Sequence, residues 1–92
     1  MGAPSYLLKR HDTYYFRQAC DPYLKSKVGK REIVRSLGVK DKAVAVRMAR
    51  EFKVNLDYVI DNLNVDSAVN PEKAGYYIDS CFLEIKKKYD SL

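Results

Sequence analysis

Tyr14, Tyr15, Phe16 and Arg17 stand side by side in "TYYFR". Lys25, Lys27, Lys30, Arg31 and Arg35 follow, with Glu32 the one acid among them. These residue types suit a polyanion. A guanidinium can hydrogen-bond bidentately to phosphate or to a guanine edge. Ammonium groups follow a phosphate backbone and release its counterions. An aromatic ring can lie against a base or fill a core, so the tyrosines serve either end.

Reactive constellations are absent. No Ser-His-Asp set sits in a supporting motif, and there is no GxSxG, P-loop or GxGxxG. Asp57 and Asp61 share a helix face at i,i+4 spacing, which is the ordinary pattern of a solvated face. His11 is the one histidine and falls in a turn. The two cysteines, Cys20 and Cys81, form no CxxC and lie far from His11, so they read as reduced thiols rather than metal ligands. The sequence therefore predicts no catalytic residue, no metal, no cofactor and no small-molecule substrate.

The chain has 92 residues and a formal charge of +5, enough for one domain with a modest core. Residues 1–40 hold nine Lys or Arg against three Asp or Glu; residues 41–92 hold eight against nine. The positive excess thus belongs to the N-terminal half, which points to an anionic partner there. No apolar run approaches the ~20 residues that span a bilayer. Met1-Gly2-Ala3-Pro4 has no apolar signal region, and Tyr6 stands where a myristoylation signal needs Ser or Thr.

The elements that must position these residues follow from local pattern. Ser5–Arg10 and Thr13–Ala19 read as a β-hairpin about the His11-Asp12 turn. A two-residue loop pairs Arg10 with Thr13, Leu8 with Tyr15 and Tyr6 with Arg17. Tyr6, Leu8, Arg10, Tyr15 and Arg17 then share one face, and Leu7, Lys9, Tyr14 and Phe16 the other. Asp21-Pro22 ends the strand, and Pro22–Ser26 fits one helical turn. Arg31–Leu37 reads as a third strand ending at Gly38. From Asp41, an N-cap, Ala45, Ala49, Phe52, Leu56, Val59, Ile60 and Leu63 make a helical stripe, and Asn55 and Asp57, weak helix formers, leave room for a bend there. Asn64–Asn70 reads as a linker. Asn70-Pro71-Glu72 starts a second helix with the stripe Ala74, Ile78, Cys81 with Phe82, and Ile85. The class is α+β: a three-stranded antiparallel sheet packed on a long helix, then a C-terminal helix. Residues 1–64 form the sheet-plus-helix module; residues 65–92 form a linker and helix that either pack on it or begin a truncated further region. The end at Leu92 without a capping glycine suggests a fragment.

From Tyr6 to Phe52 the sequence resembles the N-terminal domain of phage-type tyrosine integrases. The matching positions are Tyr15, Phe16, Arg17, Leu24, Gly29, Arg31, Ile33, Ser36, Leu37, Gly38 and Ala49. Gln18-Ala19 depart from the basic continuation common in that family, and Val39 replaces its usual Thr. The resemblance implies a non-catalytic DNA-binding domain of a phage or mobile-element tyrosine recombinase, acting in DNA integration and recombination. It implies a cytoplasmic, nucleoid-associated protein, bacterial or phage-encoded, with integrase protomers or DNA-bending proteins as further partners. The family's catalytic residues lie in a downstream domain, so no tyrosine here is the nucleophile. On this reading the free sheet face docks on duplex DNA. Arg17 and Arg35 make groove or phosphate contacts beside Tyr15, and Arg10, Lys30 and Arg31 stand at the rim. Two other readings fit the residues: a protein-interaction module for integrase assembly, or a binder of single-stranded RNA.

Overall fold

The computed structural model describes residues 5–65 and 68–91. The elements run β1 (Leu7–Arg10), β2 (Thr13–Ala19), α1 (Pro22–Val28), β3 (Glu32–Ser36), α2 (Lys42–Val65) and α3 (Pro71–Asp90). The strands form one antiparallel sheet with β2 in the centre, and the helices pack on one of its faces. The expected α+β arrangement is therefore present.

The hairpin register is the one its loop length demands. Arg10 pairs with Thr13, Lys9 with Tyr14, Leu8 with Tyr15 and Leu7 with Phe16. His11 takes a positive φ of 54° to close the turn. The Arg17 amide donates to the Tyr6 carbonyl at 2.8 Å, extending the same pairing. The Tyr6 ring, however, leaves the face that register assigns it and packs 5.6 Å from the Phe16 ring. It lies at the strand's start, where the chain is free to roll an aromatic group toward apolar neighbours.

α1 is longer than the single turn expected. Asp21 caps it by accepting from the Leu24 amide at 2.7 Å, Pro22 opens it, and Gly29 closes it at φ 79°. Gly29 is doubly constrained, because a Cβ there would lie 3.1 Å from that of Pro71. α2 begins after Asp41, whose carboxylate accepts from the Val44 amide. It runs as one continuous helix through Asn55 and Asp57. The Asn55 side chain donates to the Glu51 carbonyl one turn back, so a weak helix former is held in the helix by its own amide. α2 reaches Val65, so the expected linker shrinks. Asp66 and Ser67, like Met1–Pro4, lie outside the described residues. Asn70 caps α3 by accepting from the Lys73 amide at 2.8 Å.

The core joins all three helices to the sheet. Phe16, Phe52 and Phe82, from β2, α2 and α3, form an edge-to-face ladder with centroids 4.5 and 5.0 Å apart. Such pairs contribute about 0.5–1.5 kcal/mol beyond their area. With Phe16 and Phe52, the largest fully buried side chains are Ile33, Leu37, Met48, Leu56, Leu63 and Ile78. α3 thus packs on the module, with Ala74, Ile78 and Phe82 in the same core cluster as the sheet.

Candidate nucleic-acid interface

Strand alternation decides which side chains reach the uncovered face. The partners Leu8–Tyr15, Arg10–Thr13, Arg17–Val34, Tyr15–Ser36 and Ala19–Glu32 place those residues together on it. Leu8, Tyr15 and Val34 are half-buried along its middle, and Arg10 and Arg17 are exposed. The Arg10 guanidinium lies 5.6 Å from the Tyr15 ring centroid, a cation–π contact that stiffens both groups.

Arg17 is not bare. Its guanidinium bonds the Glu32 carboxylate at 2.6 Å, diagonally across β2 and β3. This hydrogen bond holds Glu32 below the usual carboxylate range, with the charges of Arg17 and Arg10 adding to it. The same contact keeps Arg17 more firmly protonated. Glu32 is a face residue that the sequence reading left out. Its i,j±2 relation to Arg17 emerges only once the register of β3 is known.

Arg35 requires a correction. It pairs with Phe16 and so belongs to the helix-covered side of the sheet. Its Nε donates to the Asp79 carboxylate on α3 at 2.7 Å, and a second nitrogen donates to the Val34 carbonyl. Arg35 therefore ties β3 to α3 and does not stand beside Arg17. The parity of the third strand separates them: Val34 faces outward, so its neighbour faces in.

Lys30 and Arg31 are exposed just before β3, at the end of the sheet opposite the hairpin turn. The Arg31 carbonyl accepts from the Cys20 amide at 2.7 Å, which fixes that end against β2. Lys25 and Lys27 lie nearby on α1, with the Lys27 ammonium 5.7 Å from the Tyr23 ring. The open face itself thus carries two arginines and one glutamate, with Lys30 and Arg31 at its end away from the hairpin turn.

Asp57 is paired with Lys53 at 2.8 Å. His11 is exposed in the turn. Burial raises the Cys20 and Cys81 thiols, with Asp21 and Glu32 adding to the first and Glu84 to the second, so both favour the protonated form. Among the described residues no group of three His, Cys, Asp or Glu is arranged to hold a metal. Nor is any described helix long and apolar enough to cross a membrane.

Residues 6–64 match DUF6538, a domain of unknown function. The chain belongs to this family. No curated protein and no solved structure matches it. The DUF6538 segment starts at Tyr6, against Phe16, and ends at Asn64, whose carbonyl accepts from the Tyr23 hydroxyl at 2.9 Å. It therefore takes in the sheet, α1 and nearly all of α2. α3 lies beyond it while supplying part of the same core.

Proposed function

We propose that this DUF6538 chain is a duplex-DNA-binding module of a tyrosine-type integrase, acting through the open sheet face. The observation that carries the DNA reading is that face: an apolar and aromatic strip with Arg10 and Arg17 exposed on it and cations at both ends. Seven-residue β2 spans roughly 20 Å at ~3.3 Å per residue. That is enough to bracket a major groove about 12 Å wide, with the end cations on the flanking phosphates. The integrase assignment rests on the sequence resemblance from Tyr6 to Phe52. In this arrangement Arg10, Lys30 and Arg31 supply phosphate contacts, Tyr15 supports Arg10, and Arg17 exchanges Glu32 for phosphate or a base edge.

Titration of a labelled duplex at several salt concentrations tests the reading. The logarithm of the binding constant should fall linearly with that of salt, because each neutralised phosphate releases counterions. Failure to bind any duplex near roughly 50 mM salt, or binding indifferent to salt, overturns it. Competition with single-stranded RNA separates the RNA alternative. A second reading, a protein-interaction module, is favoured by Val54, Tyr58, Tyr76 and Leu83, large apolar groups exposed on α2 and α3. A stable dimer by light scattering without DNA would support it.

A further inference from the structure

The fold gathers a second set of cations away from the open face. Lys9 and Arg10 are consecutive on β1, so they point to opposite sides of the sheet. Arg10 reaches the open face. The Lys9 ammonium lies 5.6 Å from the ring centroid of Tyr14 on the helix side. The Tyr14 amide donates to the Val39 carbonyl and its carbonyl accepts from the Leu37 amide, so the turn from β3 into α2 runs beside it. Lys40 follows in that turn and Lys42 opens α2, both exposed. Lys86 arrives from α3, its Nζ 3.2 Å from where a Cβ on Gly38 would lie. Lys9, Lys40, Lys42 and Lys86, from β1, the β3–α2 turn, the start of α2 and α3, thus belong to the hairpin end of the fold.

Helix stability does not explain Lys42. A cation at a helix N-terminus opposes the helix dipole, yet Lys42 is the first residue of α2 and its first turn holds no acid. Asp41, the acid between Lys40 and Lys42, has its carboxylate on the Val44 amide. Lys86 stands before the last turn of α3, its ammonium 6.0 Å from the Phe82 ring centroid, so its stem lies along the core edge while its charge stays at the corner.

We propose that Lys9, Lys40, Lys42 and Lys86 form a second phosphate-binding surface, continuous with the open face through Arg10. The inference rests on the duplex-DNA reading: the sheet occupies a groove and this corner holds the phosphate backbone running past it. α3 then contributes to binding from outside the family-matched segment.

The test compares wild type, the K40Q/K42Q/K86Q variant and the R10Q/R17Q variant on one duplex of about 20 base pairs. Glutamine keeps the side-chain stems and removes the charges. Each lost phosphate contact should reduce the slope of log binding constant against log salt by about 0.9. The lysine variant should therefore lose roughly 2–3 from that slope and bind more weakly at low salt. If its slope equals that of wild type while R10Q/R17Q weakens binding, the second surface is overturned and the sheet reading stands. If the lysine variant loses slope while R10Q/R17Q binds as wild type does, the corner holds DNA and the sheet reading falls. Wild type that binds no duplex overturns both.

Discussion

Arg17 and Glu32, 2.6 Å apart on an exposed face, set the sign of two effects. An exposed pair of this kind contributes little to stability, so its weight falls on recognition. A phosphate approaching Arg17 must displace Glu32 and also meets that carboxylate's repulsion. Glu32→Gln should therefore raise duplex affinity by about threefold to tenfold, whereas Arg17→Glu should lower it without altering the circular dichroism spectrum. An unfolded Arg17→Glu variant would make that arginine structural. The acidic titration follows the same contact. Because Arg17 depresses the Glu32 pKa, the pairing is present at neutral pH and is lost as pH falls through the folded-state value, below the ordinary carboxylate range. Carboxyl-carbon NMR should show Glu32 titrating low in wild type and moving upward in Arg17→Gln. At the same scale Gly29→Ala should cost about 1–2 kcal/mol or more in denaturant melts, since φ 79° penalises a side chain and Pro71 crowds it. Much at this scale was legible in sequence: a two-residue loop fixes register, and register fixes that Arg10, Tyr15 and Arg17 share a face. Arg35 was not legible, because its direction depends on where β3 begins to pair, and its partner Asp79 lies 44 residues away. Glu32 was hidden for the same reason.

Capping chemistry announces the elements, and packing decides their destinations. Asp41 and Asn70 start α2 and α3 where their side chains accept the expected amides. α1 ran past its expected end because Gly29, in the left-handed region, closes a second turn. The apolar stripe of α2 was readable at Ala45, Ala49, Phe52, Leu56 and Leu63. Met48 is fully buried although the stripe omitted it, since a helix facing both a sheet and another helix buries a wider arc. Whether α3 joined the module could not be read from its own pattern; an amphipathic stripe says that a helix is covered, not by what. The Phe16–Phe52–Phe82 ladder answers that, and it carries a test. Phe82 is 7% exposed and packs edge-on to Phe52. Phe82→Ala should destabilise the chain by about 3–5 kcal/mol in urea or guanidinium melts with a single cooperative transition. A loss below about 1 kcal/mol would mean that α3 docks without contributing to the shared core.

At the scale of the whole molecule, charge and shape together limit how DNA can be held. The chain measures 39 × 26 × 21 Å. Its sequence places the positive excess in the N-terminal half, but folding brings Lys86 of the C-terminal helix to the hairpin end beside Gly38. The acids at Asp57 and Asp61 stay on the exposed back of α2. Cations therefore stand at both ends of the sheet and around one corner, and a duplex lying across the face meets them along a path no longer than the protein. Duplex DNA rises about 3.4 Å per base pair. Extents of 26 to 39 Å then cover roughly 8 to 11 base pairs. For duplexes of increasing length at fixed salt, affinity per site should climb steeply up to about that length, then rise only slowly as the number of overlapping registers grows. The salt slope should climb in parallel, because each added base pair within the footprint brings phosphates to further cations. A steep rise continuing well past 11 base pairs would require a second protomer on the same duplex, and light scattering of the complex would detect its mass. A plateau near 4 or 5 base pairs would confine binding to one end of the sheet, leaving either Arg10 or the Lys30–Arg31 end without a phosphate.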